Sequence, residues 1–178
     1  MIDTNIYQLP LENKAYTTYQ VLLSNVTNTK QLRELLLAGQ LKCCLIKPSL
    51  IIDPWIVSVA ANKALESELS QTMTTKSIYT EILYNLSSSK NISESLKQFG
   101  VHDSDHEVLA VIVTKDQSGE DVNNIVKQID GSIVPFEKLK DFCDEKLVCK
   151  VHSINEKELK ISDLLHSVLS HMSYKEFK

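Results

Sequence analysis

Glycine and proline are scarce here, four of each in 178 residues, and that scarcity excludes a good deal. Four glycines leave neither a Walker A loop nor a G-x-G-x-x-G fingerprint, so the usual phosphate-cradling loops are ruled out. With no Ser-, Gly- or Pro-rich linker and no charge block, low-complexity and disordered readings fail as well. No repeat recurs at a spacing of roughly 20 to 50 residues. Cysteine is equally rare: Cys43 and Cys44 are adjacent, Cys143 and Cys149 lie far along the chain, and no C-x-x-C spacing occurs. Free, mostly buried thiols are therefore expected. No apolar run approaches the ~20 residues of a membrane span, and Met1-Ile2-Asp3-Thr4-Asn5 lacks the basic start of a secretory signal. A soluble, intracellular protein without a membrane partner is expected. The formal net charge of -4 argues against wrapping nucleic acid by bulk electrostatics, so any RNA contact must be small and local, or shared with partners.

What is present, 43% hydrophobic and 24% charged residues, suits one globular domain over residues 1–178 with a real core. Ala15 to Ser24 reads as a strand; Asn28 caps a helix striped by Leu32, Leu35 and Leu36, and Gly39 stops it. Leu41 to Ile46 reads as a short strand with Cys43 and Cys44 on opposite faces, ended by Pro48. Asp53-Pro54 is a strong helix start, and Trp55, Ile56, Val57, Val59, Ala60, Ala61 and Ala64 predict a helix touching core on several sides. The alternation of Ile78, Thr80, Ile82, Tyr84 and Leu86 with Tyr79, Glu81, Leu83 and Asn85 predicts a strand. After a loop at Ser87 to Lys90, Asn91 and Glu94 resemble a capping box and Gly100 bounds a short helix. Val108 to Val113 reads as a central strand. Val122 to Ile129 and Lys146 to Ile154 read as helices, with a short strand at Ile133 to Phe136 broken by Pro135. Ile161, Leu164, Leu165, Val168, Leu169 and Met172 make an amphipathic C-terminal helix.

His102-Asp103-Ser104-Asp105-His106 has metal-ligand chemistry but no third fixed ligand nearby, and a solvated polar turn accounts for it. His152, His166 and His171 are scattered, and no Ser or Cys sits in a nucleophile elbow. Asp3, Asp53 and Glu81 could pair as acid and base, although capping or surface roles account for them. Neither a catalytic site nor a metal or cofactor is expected. Asn62 and Lys63 stand out as a polar pair in an apolar helix, which must snorkel out or find partners. They are the best site candidates; the structural alternative is that Asn62 bonds a loop and Lys63 reaches solvent. The helix start at Asn91 could receive a phosphate. The C-terminal stripe is either core or a docking face. From these residues alone, the reading stops at an α+β interaction domain.

Three signatures in fixed order take it further. Asp53-Pro54 with Val59-Ala60-Ala61-Asn62-Lys63-Ala64, Thr80-Glu81-Ile82-Leu83, and Asn91-Ile92-Ser93-Glu94 through Phe99-Gly100 resemble the TPRKB/CGI-type family, the kinase-binding subunits of the KEOPS (EKC) complex of tRNA threonylcarbamoyladenosine synthesis. The likeness is clearest from Leu41 to Val113 and returns at Met172-Ser173-Tyr174-Lys175. It implies a small α+β domain with an antiparallel-rich sheet flanked by helices, acting as a non-catalytic subunit in cytoplasm and nucleus. The implied partners are a PRPK-type kinase-like ATPase, through it the threonylcarbamoyl transferase, and the 3′ CCA end of tRNA. By the same resemblance tRNA would meet Asn62, Lys63, Lys76, Asn91 and Ile92, and the kinase subunit would meet Leu165, Val168, Leu169 and Met172. A stand-alone RNA-end binding module and an enzyme acting on a small metabolite are the competing readings; the second requires a deep pocket lined by titratable groups.

Overall fold

A computed structural model describes residues 5–177. In chain order the elements are β1 (Ile6–Pro10), β2 (Thr17–Ser24), α1 (Thr29–Leu37), β3 (Cys44–Ile46), α2 (Pro54–Leu69), α3 (Ile78–Leu86), α4 (Ile92–Phe99), β4 (Val108–Thr114), α5 (Glu120–Val126), β5 (Ser132–Ile133), α6 (Leu139–Phe142), α7 (Glu145–His152) and α8 (Leu164–Tyr174). The class is α+β with a fully antiparallel sheet, as expected. The chain divides into two compact units, one of residues 1–48 and 100–139, the other of residues 49–99 and 140–178.

The first unit holds the sheet, in the order β1-β2-β4-β3, with β5 pairing β2 beyond the end of β1. β2 and β4 are aligned from Thr17↔Thr114 to Leu23↔Val108. Side chains alternate across a strand, so Tyr19, Val21 and Leu23 share one face with Val108, Ala110 and Ile112. Leu32 of α1 and Val122 and Ile125 of α5 complete that core. Cys43 and Leu45 also belong to it, which places Cys44 on the opposite face. Burial pushes the Cys43 thiol up to about 12 and the Cys44 thiol upward as well, so both stay protonated and inert. All four cysteines are free.

Two loop details differ from expectation. Asn28 precedes α1 but its side chain makes no capping bond; it donates to the Gln128 carbonyl at 2.8 Å and accepts from the Asp130 N–H at 3.0 Å. A polar side chain that can reach a second loop satisfies two distant backbone groups instead of one local one. Gly39 does end α1, at φ +70°, whereas Gly100 has no positive φ and forms an isolated bridge with Ile46.

The second unit is helical. Asp53 caps α2 by accepting from the Trp55 N–H at 2.8 Å, with Pro54 preset in the first turn. Ile56, Val57, Ala60, Ala61, Ala64 and Leu65 are buried, but Trp55 is 48% exposed, so the first turn has a solvent side that its apolar sequence hides. The expected strand at Ile78 to Leu86 is wrong: this segment is α3, packed against α2 and α4. Ser77 and Thr80 form a reciprocal capping box at its start, and Ile78, Ile82 and Leu86, one helical face, are buried. Asn91 caps α4 by accepting from the Glu94 N–H at 3.1 Å. Glu94 does not reciprocate on Asn91; its carboxylate accepts from the Ser89 hydroxyl at 3.2 Å.

α7 and α8 also pack together in this unit. His152, at the end of α7, is 1% exposed, sits edge-on to Phe99 with ring centroids 5.9 Å apart, and neither ring nitrogen has a hydrogen-bond partner among the described residues. Burial, and to a lesser degree nearby His171, lower its pKa to about 4. The folded chain therefore excludes a proton that the unfolded chain binds below its ordinary pKa of ~6.5. The stabilisation is fully present above that value and is lost as pH falls toward 4. Its full size is on the order of 3 kcal/mol. Urea melts of wild type at pH 7 and pH 5 should show this loss, and His152→Leu should show a smaller difference between the two. An equal difference in both proteins would exclude His152 as the source.

Candidate functional site

A polar cleft of about 200 Å³ opens in the second unit, lined by Lys63, Ser67, Thr72, Thr74, Glu81, Tyr84, Asn85, Lys90 and Lys175. Lys63 and Ser67 are four apart on α2, and Glu81, Tyr84 and Asn85 follow the same logic on α3, so each helix presents one face to it. Thr72 and Thr74 come from the turn between these helices, Lys90 from the loop after α3, and Lys175 from just past α8.

Glu81 fixes this geometry. It is 3% exposed; one carboxylate oxygen accepts from the Thr74 N–H at 3.2 Å, the other from the Thr75 N–H and hydroxyl at 2.7 Å each. Thr75 also accepts from the Thr80 hydroxyl at 3.0 Å, which ties the turn to the capping box of α3. Asn85 donates to the Ala60 carbonyl at 3.3 Å and locks α3 to α2. Lys175 is 3% exposed; its ammonium donates to the Tyr84 carbonyl and lies over the Tyr84 ring, 3.2 Å from the centroid.

Of the residues singled out for RNA, Lys63 lines the cleft, while Asn62, Lys76, Asn91 and Ile92 do not. Lys76 is exposed in the turn before α3, Asn91 is engaged as the α4 cap, and Ile92 is 36% exposed. Lys175, Tyr84 and Asn85 were not among the expected site residues; Glu81 was assigned a surface or capping role and is buried instead. Asp53 is a helix cap, and Asp3 lies outside the described residues. On α8, Val168 and Met172 are buried, and Leu165 and Leu169 are half-buried.

The His102 to His106 segment is a polar turn. The His102 N–H donates to Asp105 Oδ2 at 2.6 Å, Asp103 pairs with Arg33, and His106 Nδ1 meets the Val26 carbonyl at 2.8 Å. Among the described residues no group of three or more His, Cys, Asp or Glu side chains could hold a metal. No helix there is long and apolar enough to cross a membrane.

The sequence pattern of the family described as kinase binding protein CGI-121 matches residues 23–176, which takes in every cleft residue and all of α8. The chain belongs to this family. The EKC/KEOPS complex subunit TPRKB of Danio rerio is 34% identical over 161 residues, 90% of this chain and 92% of that one. The EKC/KEOPS complex subunit cgi121 of Aspergillus fumigatus is 29% identical over 154 residues, 83% of this chain and 82% of that one. For the EKC/KEOPS complex subunit CGI121 of Kluyveromyces lactis the figures are 30% over 130 residues, 72% and 80%. The CGI-121 family is described by kinase binding, not by a reaction.

In this CGI-121 chain, Glu81→Ala should lower stability by ~2 kcal/mol or more, because hydrogen bonds to a charged acceptor are strong and the Thr75 N–H would lose its partner. Urea denaturation measures this; an unchanged midpoint would show that the buried carboxylate does not hold the turn.

Proposed function

We propose that this chain is a non-catalytic KEOPS/EKC subunit that binds a PRPK-type kinase-like ATPase. Through that partner it would support the threonylcarbamoyl transferase in tRNA modification, and it would hold the tRNA 3′ CCA end near Lys63. The observation that carries the reading is the 34% identity to the zebrafish subunit across nine-tenths of both chains. The family's description as kinase-binding supports the partner class. The cationic lining of the cleft supports an RNA contact, since phosphate is what Lys side chains neutralise.

For the kinase-like subunit, α8 offers Leu165 and Leu169, four residues apart and half-buried, above Val168 and Met172, which are turned into the unit's own packing. An apolar anchor in a partner groove is commonly worth ~2 kcal/mol or more, and a carboxylate in its place is desolvated only in the complex. Leu169→Glu should therefore abolish copurification of the kinase-like subunit while the free chain keeps its melting temperature. A folded variant that still copurifies normally would remove this helix face from the interface.

Tagged protein purified from its source, with partners identified by mass, tests complex membership directly. For RNA, Lys63→Ala should weaken tRNA binding by the assembled complex with little change in its melting temperature, and wild-type complex should lose affinity for tRNA trimmed of CCA. Equal affinity of both proteins for intact tRNA at low salt would confine Lys63 to a structural role. A stand-alone RNA-end binding module is the second reading, favoured by the same lysines; tight, strongly salt-dependent RNA binding by the isolated chain would select it.

A further inference from the structure

We infer that α8 is a pH-sensitive latch: it undocks from α7 as a local unit when His152 takes up a proton, while α2 and α3 stay folded. The opening is a property of the free chain and does not require the proposed kinase contact. It starts from the groups beneath the helix. Ser167 and His171 stand four residues apart on α8 and so share one face, and across the contact with α7 His171 lies near enough to His152 to oppose its charge. Ser167 and His152 are each 1% exposed. Neither the Ser167 hydroxyl nor either ring nitrogen of His152 has a hydrogen-bond partner among the described residues. Buried polar groups without partners cost free energy that docking has to offset.

Little in α8 offsets that cost. α3 buries Ile78, Ile82 and Leu86 in nine residues, and its buried polar side chains, Glu81 and Asn85, are both hydrogen-bonded. α8 buries Val168 and Met172 in eleven residues, beside the unpartnered Ser167. A segment with few buried apolar side chains and unmet polar groups opens before its neighbours. The polar contacts that retain α8 lie toward its ends. At the start Asp163 accepts from the His166 N–H at 2.9 Å; toward the other end His171 Nε2 meets the Glu158 carboxylate at 3.1 Å, and Lys175 donates to the Tyr84 carbonyl.

Protonation tips this balance. His152 is kept neutral by burial first and by His171 second, with a pKa of about 4; once α8 lifts away, water solvates the imidazolium and the ordinary value of ~6.5 returns. In the docked state no carboxylate among the described residues meets either ring nitrogen. Glu158 is paired with His171 and Asp163 with His166, Lys175 is turned to Tyr84, Cys149 on α7 is held protonated by burial, and Phe99 of α4 offers only its ring. Acid therefore favours the undocked state, because that state binds the proton. On the proposed reading acid would also loosen the kinase contact, since Leu165 and Leu169 keep their place in the unit only while α8 is docked.

Amide hydrogen exchange of the free chain at about pH 7.5 and about pH 5.5, each rate divided by that of unstructured peptide at the same pH, measures the opening. Amides of α8 should be less protected than those of α3 at both pH values. From pH 7.5 to 5.5 the opening constant of α8 in wild type, relative to His152→Leu, should rise about 10-fold; dividing by the variant cancels whatever His171 and Glu158 contribute. His152→Gln, which cannot titrate either, takes its place if His152→Leu fails to fold. Ser167→Ala should raise α8 protection about 5-fold at both pH values, the low end of the cost of one unmet buried group, and should keep the 10-fold rise. Protection of α8 equal to that of α3 would mean that the helix leaves only with the whole unit. A 10-fold rise retained in the non-titrating variant would assign the proton elsewhere, and unchanged protection in Ser167→Ala would show that its hydroxyl is not unmet. Any of these results overturns the latch.

Discussion

The second unit is organised around one buried carboxylate. Glu81 is 3% exposed, and an ionised group at that depth persists only where donors replace the water it has lost. Here Thr74 and Thr75 supply them. Because Thr75 also accepts from Thr80, the turn between α2 and α3, the start of α3 and the cleft wall form one hydrogen-bonded assembly. Thr72 and Thr74 stand opposite Lys63 and Ser67 only while that assembly is intact. The same carboxylate thus decides both the path of the chain and which lysines can share a space.

The first unit meets a different constraint, that of pairing its central strands, β2 and β4, along both edges. β2 is paired along one side by β4 and along the other by β1 and then β5, and Thr17 to Leu23 are all buried. A strand buried on both faces reads as a near-continuous buried run even in an antiparallel sheet, which explains why Val108 to Val113, its partner on β4, shows no polar alternation. Asn28 belongs to the same economy of backbone partners: with its amide bridging residues 128 and 130, the loop before α1 is closed against the loop after α5.

The sequence made most elements legible because their signals were local. Asp53-Pro54, Asn91 with Glu94, and Gly39 each mark a boundary by the chemistry of a helix end, and those boundaries hold. The segment Ile78 to Leu86 was misread because Ile78, Ile82 and Leu86 are four apart, a spacing contained in both a two-residue and a 3.6-residue period. Nine residues are too few to separate the two periods. Ser77 and Thr80 were the discriminating pair, obscured because Thr replaces the usual Glu or Gln at N3. The cleft was half legible. Lys63 stood out as a charge inside an apolar helix, but Lys175, 112 positions later, figured only as the end of a family signature, and only tertiary packing places its ammonium over Tyr84. Burial of Val168 and Met172 was equally beyond periodicity, since an apolar stripe has the same spacing whether its own chain or a partner covers it.

A chain of net charge -4 is an unpromising RNA ligand only if charge is averaged over the whole surface. Potential in a narrow, low-dielectric cleft is set by the nearest groups, because more distant charges are screened within about 10 Å at ordinary salt. Three lysines and one carboxylate line the cleft, whereas the chain as a whole is acidic. On the proposed reading the acidic remainder would repel nucleic acid elsewhere and limit the contact to the surroundings of the cleft. On that reading the subunit would bind RNA weakly by itself and would gain affinity through partners that hold the rest of the strand, because linked sites multiply through effective concentration. On the same reading the cleft and α8 would divide the work, assembly supplying most of the binding energy and the cleft setting where the RNA end lies.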